Sequence, residues 1–214
     1  DTSDHEVNLK ILLSGPYRRG EIDSQKRDAL LAAMTDEIAD LVLADNYDQT
    51  LALSVAEAAA SRDIDACARF IRALEAKGKL DRAVEFLPSD ADIQKLENDK
   101  KGFTRPELAV LMAYAKLRIH EALLDSAVLD DPLMEQDLEA AFPEQLQQRF
   151  PEEIRNHSLR RELIGTKLSN AIVNRGGITL AFELAEETGA SLDQVVGAFV
   201  VAREVFNTRS LWRL

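Results

Sequence analysis

The chain has 214 residues, 46% hydrophobic and 30% charged, with a net charge of −12. A chain of this length buries about 70% of the surface its unfolded form exposes, so its core needs neither disulfides nor a metal. The acid excess repels phosphate backbones and anionic lipid, which sets nucleic acid and membranes aside as partners.

Ala, Leu, Glu and Arg are abundant and aromatics make up only 6% of the residues, a balance that favours helix over sheet. The one cysteine, Cys67, cannot form an internal disulfide and reads as a small buried apolar residue in a reducing compartment. The longest apolar run near the end, Val195 to Ala202, is far too short to span a bilayer.

The first stretch, Asp1 to Leu13, opens directly on a helix start. Thr2 or Ser3 is available as a cap, Asp4 and Glu6 follow in the first turn, and an apolar face comes next. So abrupt an opening reads as a piece cut from a longer protein. Gly15-Pro16 is expected to end this helix, with Tyr17 to Glu21 as a basic link. Asp23 to Met34 reads as a weak helix. Thr35 opens an apolar segment to Leu43, Asp45-Asn46 breaks the pattern, and Gln49 to Ala60 resumes it. Asp63 to Lys77 is a helix closed by Gly78. Leu80 to Leu87 reads as a short helix stopped by Pro88, and Ser89 with Asp92 starts the next.

Thr104-Arg-Pro-Glu107 is a capping box with proline in the first turn. It opens Leu108 to Leu124, which is apolar on most of its circumference and so suits a central helix. Asp131-Pro132 starts a short helix ending at Phe142-Pro143, and Glu144 to Phe150 is another. Leu159, Leu163, Ile164, Leu168 and Ile172 mark a helix through Arg175, broken by Gly176-Gly177. Ile178 to Thr188 stops at Gly189. Ser191 with Gln194 opens the last helix, to Phe206. The Asp45-Asn46 and Lys100 to Gly102 breaks are candidate hinges.

Motifs that carry chemistry are sparse. Gly15 to Gly20 has the glycine spacing of a phosphate loop, but Glu21 stands where lysine is needed and would repel phosphate. No G-x-G-x-x-G is present. His5, His120 and His157 are far apart, and the paired E-x-x-H of di-iron bundles is missing. Arg18-Arg19 and Arg160-Arg161 are able to bind an anion, although pairing with the many carboxylates accounts for them as well. Ala76 to Leu87 looks like the joint of a tetratricopeptide hairpin. It occurs once, and a solenoid needs at least three repeats. A helical protein-binding module of that kind is therefore the alternative reading.

Three stretches together resemble the large NAD-specific glutamate dehydrogenases of bacteria: Asp1 to Leu13, Phe103 to Leu117, and Arg160 to Gly177. Val201 to Phe206 fits as well. The resemblance implies a very long parent that oxidatively deaminates L-glutamate to 2-oxoglutarate and ammonium and reduces NAD, working in the cytoplasm as a homo-oligomer. Residues 1–14 would be the end of its catalytic core and 15–214 its C-terminal helical domain. The catalytic Lys and Asp and the NAD-binding glycines would precede residue 1, so no catalytic, cofactor or metal residue is assigned here. One substrate contact is carried over. Smaller glutamate dehydrogenases end their core with V-x-x-S-Y-x-E-W, and aligning Ser3 and Glu6 with its Ser and Glu places Ser3 at the substrate side-chain carboxylate. Asp4, His5 and Val7 depart from that pattern, and a plain helix cap explains Ser3 equally well.

The expected fold is all-α: an irregular multi-helix domain, in one body or two packed lobes. Its expected core includes Leu108, Leu111, Tyr114, Leu117, Leu163, Leu168, Ile172, Val196, Phe199 and Val200. The isolated chain is expected to be catalytically inert, its helices serving oligomerisation or scaffolding, or else regulation, with arginines near Arg18 or Arg160 holding an anionic effector. Its partners are expected to be the catalytic core of the same chain and further copies of the parent.

Overall fold

The computed structural model describes residues 2–211, with side chains from Asp4 to Leu211. Among these residues every regular element is helical, so the all-α expectation holds. Thirteen α-helices follow in order: α1 (Thr2–Arg18), α2 (Ser24–Ala33), α3 (Thr35–Ala59), α4 (Ile64–Ala76), α5 (Asp90–Asn98), α6 (Arg105–Leu124), α7 (Glu135–Glu139), α8 (Glu144–Arg149), α9 (Pro151–Arg155), α10 (Arg160–Gly176), α11 (Leu180–Thr188), α12 (Leu192–Val205) and α13 (Thr208–Leu211). Two 3₁₀ turns, Ala127–Asp130 and Pro132–Met134, separate α6 from α7.

The helices fall into two compact units. The first takes the chain through Asp48 together with Leu129–Lys167. It packs α1 on α2 and α9, with α7 and α8 also on α9. Leu9, Leu13, Met34, Leu138, Phe142 and Ile154 are buried in it. Each such side chain contributes roughly 1.5–3 kcal/mol when fully withdrawn from water. The second unit takes Gln49–Val128 and Leu168 onward. Here α12 packs on α6, α11 and α13, and α4 packs on α5. Its buried set includes Phe70, Ile71, Leu108, Leu111, Leu168 and Val196.

Most helix starts are where capping chemistry puts them. Asp23 accepts from Lys26 N–H, and Ser89 accepts from Asp92 N–H. The box at α6 closes with Thr104 N–H donating to Glu107 Oε2 at 2.6 Å, and that at α12 with Ser191 N–H donating to Gln194 Oε1 at 3.0 Å. Gly189 ends α11 at φ 71°, the left-handed conformation that glycine adopts without a Cβ penalty.

Several expectations are corrected. Gly15-Pro16 does not end α1, which runs on to Arg18 with Pro16 inside it. Proline removes only the bond to the carbonyl four residues back, and here that loss falls in the last turn. Arg19 N–H still reaches Gly15 O at 3.1 Å, and Gly20, at φ 75°, marks the true exit. Nor does Asp45-Asn46 break α3, a single 25-residue helix. Each costs no more than about 0.7 kcal/mol against alanine, far less than proline. Both point to solvent, and Asp45 pairs with Lys167 at 3.5 Å.

Leu80 to Leu87 is a run of turns rather than a helix. Asp81 Oδ1 accepts from Ala83 N–H at 2.9 Å, and Phe86 takes φ 55°, so the backbone closes on itself locally. The hairpin of the tetratricopeptide reading is thereby lost. Of the expected core, Leu117 is 58% exposed, because it lies on the face of α6 opposite Leu108, Leu111, Ala115 and Ile119. Tyr114, Leu163 and Phe199 are half-buried. The short α9 and α13 went unread because neither is long enough to show a period.

Candidate functional site

Ser3 is the predicted substrate contact. The main chain of Ser3 belongs to α1, and its side chain lies outside the described residues. The other candidates are arginines and histidines, and the first unit gathers several of them at one cleft.

That cleft, of about 300 Å³, lies between the end of α1 and the α9 segment. Arg18 and Arg19 line one side, Glu152 and Glu153 the other, and His157 its floor. α1 presents the arginines because it continues past Pro16. Arg19 is fully engaged: its Nε meets Glu21 Oε1 and its Nη2 meets Glu153 Oε1, both at 2.5 Å. The guanidinium holds the Glu21 carboxyl below the usual carboxylate range. Arg155 takes Glu152 at 2.7 Å. Arg18 is exposed and donates only to the Ser14 carbonyl, at 3.3 Å. It stands at the C-terminal, electronegative end of α1, where a bound anion would meet the helix carbonyls. The arrangement is an ion-paired joint between helices.

Arg160 and Arg161 do not join this cleft. Arg160 Nη1 donates to the Leu129 carbonyl at 2.8 Å, and Arg161 Nη1 pairs with Asp130 at 2.5 Å. The pairing account of the arginine doublets is therefore the structural one for three of the four residues.

His157 is buried, and both ring nitrogens are used. Nδ1 accepts from Leu159 N–H at 3.1 Å, and Nε2 donates to the Asn8 carbonyl at 3.0 Å. Burial pushes its pKa down, partly opposed by the Asn8 bond. His5 is lowered too, by burial and then by Lys167. His120 sits half-buried on α6. Among the described residues no three His, Cys, Asp or Glu side chains gather in a metal-binding cluster. The Cys67 thiol is buried and pushed up to about 12, first by desolvation, so it is not a nucleophile near neutral pH.

A dinucleotide does not fit the residues present. Among them there is no strand to lead into a phosphate loop, and Gly15 to Gly20 is the exit of a helix with Glu21 locked to Arg19. No described helix is long and apolar enough to cross a membrane.

A second hollow, which sequence reading missed, lies in the second unit. It holds about 460 Å³ between α4, α6, α11 and the start of α12. Lys77 and Arg118 both line it. They are 41 positions apart, and no spacing pattern joins them.

Comparison with known proteins finds matches along the length of the chain. A family model described as "Bacterial NAD-glutamate dehydrogenase, catalytic domain" matches residues 1–56. One described as "Glutamate dehydrogenase, C-terminal" matches residues 100–214. The NAD-specific glutamate dehydrogenase of Pseudomonas aeruginosa is 46% identical over 97% of this chain. The protein of that name in Halomonas elongata is 42% identical over 98%, and that in Mycobacterium tuberculosis 39% over 100%. This chain spans 13% of the length of each of these relatives. No solved structure matches. With both family models placed in order and identity sustained from end to end, the chain belongs to the bacterial NAD-specific glutamate dehydrogenase family.

Proposed function

We propose that this chain is the helical C-terminal part of an enzyme that oxidatively deaminates L-glutamate to 2-oxoglutarate and ammonium, passing hydride to NAD in the cytoplasm. The observation that carries this is the ordered pair of family matches, to a catalytic-domain model over 1–56 and to a C-terminal model over 100–214. The chemistry belongs to the longer protein. Its catalytic Lys and Asp and its NAD-binding glycines stand before residue 1. Residues 1–14 close the catalytic core, with Ser3 at the carboxylate of the substrate side chain, and 15–214 form the helical domain.

The contribution of these helices is structural: they pack on the catalytic core of the same chain and on further copies of the enzyme. Exposed Leu43, Tyr47, Leu51 and Val55 support this, because their four-residue spacing puts them on one face of α3. Contiguous apolar surface of this kind marks an interaction face.

Two assays test the reading. The longer protein should form NADH from glutamate and NAD, and this chain alone should not; activity of the chain alone overturns the division of labour. Ser3→Ala in the longer protein should raise KM for glutamate, and an unchanged KM removes the substrate role.

A further inference from the structure

The hollow in the second unit has a charge character of its own. Its volume, about 460 Å³, falls in the range of roughly 300–1,000 Å³ typical of small-molecule sites. Phe70, Ile119 and Phe182 supply apolar wall, the two phenyl rings 5.3 Å apart and tilted by 49°. Ala73, Ala122 and Ala185 keep it open, since any larger side chain at those positions would occupy it.

Four charged residues line it: Lys77, Arg118, Glu186 and Asp193. The acids are engaged. Glu186 accepts from Arg69 Nε at 3.2 Å. Asp193 is held by the hydroxyls of Ser191 and Ser126, the latter at 3.0 Å, and it sits in the first turn of α12, where the helix dipole favours a carboxylate. The cations are not engaged. Among the described arginines, Arg118 alone has no hydrogen bond, ion pair or aromatic face. Lys77, exposed at the end of α4, has no partner either. The four charges at the hollow balance, but the two cations lack an ion-pair partner and stand available to an incoming anion beside apolar wall.

We infer that this hollow binds a small monocarboxylate with an apolar body, the body against Phe70 and Phe182 and the carboxylate on Arg118 and Lys77. Arginine offers a carboxylate two parallel N–H donors, and burial of the apolar body supplies the remaining affinity. A single charge fits better than a polyanion, which would meet the carboxylates of Asp193 and Glu186.

The test is calorimetric titration of sodium decanoate into the full chain. One saturable site is expected. Arg118→Gln should weaken it at least about tenfold, the loss appropriate to a charge-assisted hydrogen bond. Decanol, which keeps the chain and lacks the charge, should also bind at least about tenfold more weakly. Ala185→Leu should abolish saturable binding by filling the hollow while leaving the charges in place. If Arg118→Gln fails to fold, Lys77→Gln carries the charge test at an exposed position and should weaken binding several-fold. Absence of saturation, equal binding of decanol, or unchanged affinity in the charge and cavity variants overturns the proposal. No readout involves glutamate or NAD, so the outcome stands apart from the function proposed above.

Discussion

His157 Nε2 donates to the Asn8 carbonyl across 3.0 Å, linking residues 149 positions apart. Because Leu159 N–H is already given to Nδ1, the bond to Asn8 requires the neutral ring with its proton on Nε2. Protonating Nδ1 destroys the Leu159 bond and places a charge in a buried position beside the Phe142 ring, 5.4 Å away.

A pH dependence results. The folded-state pKa of His157 is lowered, chiefly by burial, so the folded chain binds its proton less readily than the unfolded chain does. The stabilisation is fully present above the unfolded value of about 6.5 and is lost as pH falls through the lowered folded value. Urea unfolding at a series of pH values should show stability declining as pH drops below about 6.5 and levelling once the folded-state ring is itself protonated. His157→Phe should flatten this part of the profile and cost about 1–3 kcal/mol at neutral pH, since Asn8 O and Leu159 N–H lose their partner.

Arg82 organises the turn segment before α5. Its guanidinium takes both oxygens of Glu75 at 2.7 Å, Asp90 at 3.0 Å and the Pro88 carbonyl at 3.2 Å, with only 14% of the side chain exposed. Arg82→Ala should cost about 2–3 kcal/mol in chemical denaturation, while Arg82→Lys should recover only part, because lysine lacks the two-pronged geometry. Full recovery by lysine would show that charge alone matters there.

Gly102 lies against the backbone of Ala60, so that a Cβ at this position would overlap the Ala60 carbonyl. Backbone cannot swing aside as a flexible side chain does. Gly102→Ala should destabilise by about 1–3 kcal/mol, the usual cost of overpacking, with a visible drop in Tm. Gly78→Ala, where a Cβ meets nothing but φ is 62°, provides the contrasting case of pure backbone strain, expected to cost about 1 kcal/mol.

Leu51 and Val55 are 49% and 62% exposed on α3. Replacing both with glutamate should leave the thermal stability of this chain within about 0.5 kcal/mol, as for ordinary surface positions. In the longer protein the same pair should lower the assembled fraction seen by light scattering if the face is covered there. An unchanged assembly would remove α3 from the interface.

Local chemistry was legible from the residues alone. The all-α class follows from composition. The starts of α2, α5, α6 and α12 follow from side chains that satisfy backbone N–H groups within three residues, and the end of α11 follows from one glycine. Family membership is also written in one dimension, in Phe103 to Leu117 and Arg160 to Gly177. Tertiary packing decided what depends on distant partners. α1 passes Pro16 because the lost bond falls in its last turn, and α3 passes Asp45-Asn46 because their propensity cost, no more than about 0.7 kcal/mol each, is too small to stop a helix. Leu117 faces water because α6 has only one buried side, and hydrophobicity counted around the helix does not say which. Arg19, His157 and Arg118 differ in nothing local that marks one as ion-paired, one as a clamp and one as free. Their roles come from Glu153, from Asn8 and from the absence of a carboxylate in ion-pair contact with Arg118, since Glu186 and Asp193 are held by other groups, and such long-range neighbours exist only once the chain has folded.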